Sequence, residues 1–162
     1  LRAGAVLACA LALALLAACG GGSSPSGPLA VATPSPAPKV AAVCARLHDA
    51  VPPTVDGRVK VPASPASELT AAWGDPAVVL RCGVAKPRSL RPTSELIEVN
   101  SVRWFLQETH SAYVFTTYGR VAFVEIRVPK SVPRERATAP LVDLAPAVKT
   151  SVPTAADASQ GP

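Results

Sequence analysis

Methionine is absent from the 162 residues, aromatic side chains make up 4% of them, and charged side chains only 17%. Without a methionine at its head, the chain is expected to continue upstream of Leu1. So short a sequence excludes a multidomain enzyme, and so little charge excludes a long coiled coil. A single long apolar run, Ala3 to Ala18, excludes a polytopic transporter. No Gly-x-Ser-x-Gly elbow, His-Glu-x-x-His helix or P-loop occurs. No catalytic residue, metal site or cofactor is therefore assigned. Acids are scarce too, with 11 Asp and Glu against 16 Lys and Arg, a net charge of +5. Residues 19–162 lose only Arg2 from that count and keep a surplus of four. The excess is spread along the chain as a solubilising surface, without the dense basic stripe of a nucleic-acid binder. At most it favours anionic surfaces weakly.

What is present is clearest at the N-terminus. Arg2 precedes an apolar run that, as a helix, rises about 24 Å, short of the roughly 30 Å hydrocarbon core. A basic flank, a short apolar stretch and small residues at its end read as a signal peptide over residues 1–18. Leu16-Ala17-Ala18-Cys19 resembles the lipobox of bacterial lipoproteins, whose cysteine takes a diacylglyceryl group and becomes the first mature residue. The thiol is the lipid acceptor, and the small residues before it admit the chain to the peptidase. Two palmitate-type acyl chains hold a protein stably on a bilayer, where one does not. An uncleaved single-span anchor is the alternative. Residues 19–39 follow as a tether, since Gly, Ser and Pro supply 13 of the 20 residues from Gly20 to Lys39. Such a segment buries too little apolar area to offset its ordering entropy.

Export places the remaining cysteines, Cys44 and Cys82, in an oxidising compartment, so a disulfide is expected. Zinc is not, because His48 and His110 are the only other soft ligands and neither stands at ligand spacing. Val40, Val43, Cys44 and Leu47 lie at i, i+3, i+4 and i+7 of a helix that Pro52-Pro53 ends. Val78, Leu80, Cys82 and Val84 alternate as one face of a strand, so pairing the sulfurs would staple helix to sheet.

Asp56-Gly57 signals a tight turn between short extended pieces, and Ser67–Trp73 reads as a second short helix stopped by Gly74. A two-residue turn at Asn100-Ser101 sets Val99 opposite Val102, Glu98 opposite Arg103 and Ile97 opposite Trp104. A second hairpin around Tyr118-Gly119 places Phe115, Ala122, Val124 and Ile126 on one face. Leu141, Leu144, Ala145 and Val148 mark a last helix, which Pro146 kinks or adjoins, and residues 153–162 read as a disordered tail. The expected fold is one α+β domain over residues 40–152. It is a small antiparallel sheet of four or five strands, with helices on one face and one disulfide.

Trp73-Gly74-Asp75-Pro76, Val79-Leu80-Arg81-Cys82-Gly83 and Pro92-Thr93-Ser94-Glu95-Leu96 resemble one known family. So do the hairpin Tyr118-Gly119-Arg120-Val121-Ala122-Phe123-Val124-Glu125 and Leu141-Val142-Asp143-Leu144. It is the actinobacterial envelope family called domain of unknown function 3515. The resemblance covers roughly Ala42 to Val152. It implies an envelope location and carries no established chemistry, so no catalytic residue is transferred.

Candidate acid–base groups are sparse. His48 and Asp49 point about 100° apart on a helix, on the polar side, and His110 falls in a turn. Glu95 and Glu98 are close in sequence, but Glu98 already faces Arg103. Trp73 and Trp104 are core residues rather than stacking platforms. Lys86, Arg88 and Arg91 lie in a proline-bounded loop, Lys86 to Pro92, that should project from the sheet and could meet anionic polymers or head groups. The sequence thus describes an extracytoplasmic lipoprotein held on the cell membrane through Cys19. Its domain is expected to bind an envelope protein or anionic polymer, or to serve an accessory role, without nucleic acid. A small envelope enzyme is the alternative.

Overall fold

The computed structural model describes residues 27–158. The expected signal segment, Cys19 and residues 159–162 lie outside the described residues. No described helix is long and apolar enough to cross a membrane.

Helix α1 (Pro38–Ala50) begins with proline, whose fixed φ suits a first turn and whose missing N–H costs nothing there. Its apolar stripe buries Cys44 and Leu47. Pro52 biases Val51 toward extended backbone, and the helix closes with the Val51 N–H donating to Leu47 O at 3.0 Å.

Among the described residues ten strands follow in chain order: β1 (Leu29–Ala30), β2 (Thr54–Val55), β3 (Arg58–Val61), β4 (Ala63–Ser64) and β5 (Thr70–Trp73), then β6 (Val78–Cys82), β7 (Ile97–Val99), β8 (Val102–Glu108), β9 (Ala112–Thr117) and β10 (Val124–Pro129). Eight form one sheet in the order β2-β3-β5-β6-β10-β9-β8-β7, every pair antiparallel. The class is the expected mixture of helix and strand, but the sheet is nearly twice as wide as expected. The undercount has two sources. Strands β2 and β3 are too short to display alternation. Strand β5 was expected as part of a helix over Ser67–Trp73, because Glu68, Leu69, Ala71 and Ala72 are good helix formers. Its residues are instead buried on both faces, Ala71 and Trp73 on one and Thr70 and Ala72 on the other. Pairing with β3 and β6 overrides local propensity, and Gly74 leads into a turn to β6 rather than closing a helix.

The tight turns fall as expected. Asn100 and Ser101 both have positive φ, 49° and 65°, the twist a two-residue hairpin requires. The register pairs Ile97 with Trp104, Glu98 with Arg103 and Val99 with Val102. Asp56 and Gly57 make a similar turn between β2 and β3. In the Tyr118-Gly119 hairpin, Phe115 pairs with Ile126 and Val124 shares their buried face.

Helix α2 (Ala139–Ser151) buries Leu141, Leu144, Ala145 and Val148, with Pro146 inside it on the exposed side. Two bonds from adjacent residues of α2 set the shape of the sheet. The Asp143 carboxylate accepts from the Asp56 N–H at 2.7 Å, and the Val142 carbonyl accepts from Asn100 Nδ2 at 3.1 Å. Asp56 belongs to one edge of the sheet and Asn100 to the other. Eight strands laid flat would hold those edges about 34 Å apart. The sheet is therefore curled, with α2 clasping both borders and α1 packed beside it on the concave face. Trp73, Trp104, Phe115, Leu80 and Ile126 fill the hollow.

The convex face carries two straps. Of the segment 19–39 expected as a tether, the part from Leu29 onward is held on the domain. Strand β1 pairs in parallel with β4, Val31 is 5% exposed, and Arg81 Nε donates to Ala32 O at 2.9 Å. Farther on, the Pro36 ring lies against Gly83, where a Cβ would come within 2.6 Å of it, so only glycine allows that approach. The second strap is the Lys86–Pro92 loop. It does not project: Leu90 is 1% exposed, and Gln107 Nε2 of β8 donates to Ser89 Oγ at 2.9 Å. Its one leucine needs apolar cover, and the sheet provides it. The tail expected to be disordered from Pro153 is in part docked, since Val121 N–H donates to Pro153 O and Ala155 N–H to Gly119 O. A short helix (Ala155–Ala158) follows.

Candidate functional site

Cys44 and Cys82 form the expected disulfide, with Cα atoms 5.5 Å apart, and both are fully buried. Sulfurs on the apolar face of α1 and the concave face of β6 meet because each face seeks the same core. The bond joins helix to sheet.

Lys86, Arg88 and Arg91 are exposed on the second strap. Two turns shape it, with Leu90 N–H donating to Pro87 O and Ser94 N–H to Arg91 O, both at 3.0 Å. The Arg91 guanidinium donates to Arg88 O, and its backbone N–H donates to Ser94 Oγ at 2.9 Å. The strap therefore presents its cations from an ordered backbone.

The candidate acid–base groups do not converge. His48, expected on a solvated surface, is half-buried, and its Nδ1 donates to Thr70 O at 3.1 Å. That bond ties α1 to β5. Asp49, Glu95 and His110 are exposed. Glu98 stands opposite Arg103, whose guanidinium lies over the Tyr118 ring, 5.1 Å from its centroid. Trp73 and Trp104 are both fully buried in the core, and Trp73 Nε1 donates to Pro52 O at 2.9 Å. Among the described residues, no group of three His, Cys, Asp or Glu side chains could hold a metal ion.

Three charged clusters escape a reading by motif, because their members are distant in sequence. Asp56 lies between Arg58 and Arg136, the latter at 3.1 Å, while its N–H is held by Asp143. Glu108 accepts from Lys130 at 2.7 Å and also pairs with Arg134. The Lys130 hydrogen bond holds the Glu108 carboxyl below its ordinary range; desolvation opposes the shift, and the charges of Arg134 and Lys130 add to it. The Lys130 ammonium also sits 3.6 Å from the Tyr113 ring centroid. On the convex face, Glu125 pairs with Arg81 at 3.1 Å and with Arg127 at 3.7 Å. No sequence signal marks the first two clusters. The third follows from register once β6 and β10 are known to be neighbours.

Open grooves mark the described surface. One of about 450 Å³ runs between Pro34–Ala37, Val84 and Phe123, and another of about 490 Å³ between His48, Lys60, Ala66 and Glu68. Ser67 also lines the second groove, where its Oγ accepts from the Leu69 N–H at 3.1 Å while His48 Nδ1 is engaged by Thr70 O.

Taken together, the fold is a curled antiparallel sheet clasped by two helices, with three clusters of charged groups paired for structure. The chain belongs to the family described as Protein of unknown function (DUF3515), whose model matches residues 3–156. No curated protein and no solved structure matches it. The stretches that carry the family resemblance serve the architecture: Trp73 and Cys82 in the core, Gly83 under Pro36, Glu125 between two arginines, and Asp143 at the sheet edge.

Proposed function

We propose that this protein is an extracytoplasmic lipoprotein, anchored on the cell membrane through lipid on Cys19, whose domain acts as a binding or accessory module of the cell envelope. The observation that carries the reading is Leu16-Ala17-Ala18-Cys19 at the end of a short apolar run with a basic flank. The family match begins at residue 3, so the run and the cysteine fall within it. A buried disulfide is consistent with a chain that matures in an oxidising compartment. A binding role is favoured over catalysis because His48, Asp56 and Glu108 are each engaged in holding elements together.

Docking of the chain from Leu29 onward shortens the proposed tether. Only nine residues lie between Cys19 and Leu29, a path of ten residue-to-residue steps. Fully extended, they span at most about 35 Å. The domain would therefore stay close to the bilayer. Metabolic labelling with a fatty-acid probe tests the anchor: wild type is expected to take label and Cys19→Ser to lose it. Equal labelling of the two, or a membrane-bound mature form that retains residues 3–18, refutes the reading.

A further inference from the structure

We propose that the convex face of the sheet, led by Lys86, Arg88 and Arg91, is the surface this domain lays on an anionic lipid bilayer. The proposal rests on the anchored reading above and adds an orientation to it.

The first argument is where the chain outside the described residues joins the domain. Arg81 lies on the convex face, because its neighbour Leu80 is buried on the concave one, and it holds the incoming strap through Ala32 O. The Lys86–Pro92 strap is fastened to the same face through Gln107, which pairs with Val114 and alternates with the core residue Trp104 along β8. The tether of at most about 35 Å ends at Leu29, where β1 pairs with β4, three residues before the strap reaches this face at Ala32, and so turns the face toward the membrane.

Charge gives the second argument. Arg81, Arg103 and Arg127 belong to the convex face by register, and Lys86, Arg88 and Arg91 to the strap upon it. Against these six stand Glu95, Glu98 and Glu125, so three of the four surplus charges of residues 19–162 collect here. The strap cations are also free to meet a surface. None of the three forms an ion pair with a described residue, whereas Arg58 and Arg136 are each paired with Asp56, and Lys130 and Arg134 with Glu108.

Screening limits the effect to close approach, since the Debye length is about 8 Å at physiological ionic strength. Exposed side chains on a strap already folded around Leu90 satisfy that condition with little ordering left to do. Each basic residue at an anionic membrane surface contributes about fivefold, so the three together raise surface contact roughly 100-fold at most. That suffices to orient a tethered domain.

The test is amide hydrogen exchange of the full chain reconstituted in vesicles, either pure phosphatidylcholine or equal parts phosphatidylcholine and phosphatidylglycerol. Segment 84–96 is expected to exchange about fivefold or more slowly on the anionic vesicles at low salt. The protection should vanish at high salt, and segment 131–136 should not change. Replacing Lys86, Arg88 and Arg91 together by alanine should abolish the difference without lowering the melting temperature, because all three are exposed. Equal exchange on both vesicles, protection that persists in the triple variant, or protection by soluble polyphosphate but not by vesicles would each overturn the proposal. Fatty-acid labelling of the same preparation reports separately on the anchor. A labelled chain without charge-dependent protection refutes the orientation alone, and an unlabelled chain that retains the protection refutes the anchor alone.

Discussion

On the concave face, Trp73, Trp104 and Phe115 lie under two packed helices, one of them bonded covalently to the sheet. On the convex face the covering is two irregular straps, each seated by one aliphatic side chain, Val31 or Leu90. Large side chains shared among many elements make the concave side cooperative, since loss of any one disturbs several neighbours. A strap held by one leucine and a few hydrogen bonds can open without unfolding the rest. One sheet thus separates a side that determines whether the domain folds from a side that can respond to what it meets.

The sharpest way to break this comparison is to truncate one side chain on each side. Trp104→Ala is expected to destabilise the domain by about 3–5 kcal/mol in denaturant unfolding, the range for a fully buried tryptophan. Replacing Cys44 and Cys82 together by alanine should cost roughly 2–4 kcal/mol by thermal unfolding, with the same loss produced in wild type by reductant. Leu90→Ala should cost about 2 kcal/mol, the lower end for a buried leucine, because the strap can settle into the vacated space. Native-state exchange should then accelerate over residues 86–92 and stay unchanged in β9 and β10. A Leu90→Ala loss as large as that of Trp104→Ala, with faster exchange throughout, would show that both faces belong to one cooperative unit.

The smallest effect concerns pH. The folded-state pKa of Glu108 is depressed below the ordinary 4.5, so its stabilising contribution is present above that value and is lost as pH falls through the folded pKa. Glu108→Gln should lower stability slightly at neutral pH and by progressively less toward acid, which flattens the acid limb of the stability curve. An unaltered acid limb would mean that the Lys130 and Arg134 contacts do not persist in solution.

The same division explains what could be read in advance. Concave elements announce themselves by periodicity: the stripe of α1, the Asn100-Ser101 turn with its register, and the four apolar positions of α2. The Cys44–Cys82 bond followed from two such faces. Strand β5 did not, because four residues buried on both faces show neither period, and Ala71-Ala72 suits a helix equally well. The straps were hidden for a different reason. Leu90 stands among prolines and arginines, and Val31 in a stretch rich in Gly, Ser and Pro, so composition pointed outward where one side chain turned inward. The exposed cations of the candidate site were legible as a local cluster. That they sit on an ordered strap sharing a face with the incoming chain was not, nor was the bond between His48 and Thr70 O, since both depend on contacts between distant residues.

The clasp made by α2 has a consequence in time. A polypeptide is made from its N-terminus, and Val142 and Asp143 arrive after all ten strands. Until they do, β2 and β7 are two unguarded borders, each able to recruit a strand from a neighbouring copy. A chain interrupted just before Leu141 would lack more than a helix, because nothing would draw its borders together. Arrival of α2 is therefore the step that fastens the two borders to one another.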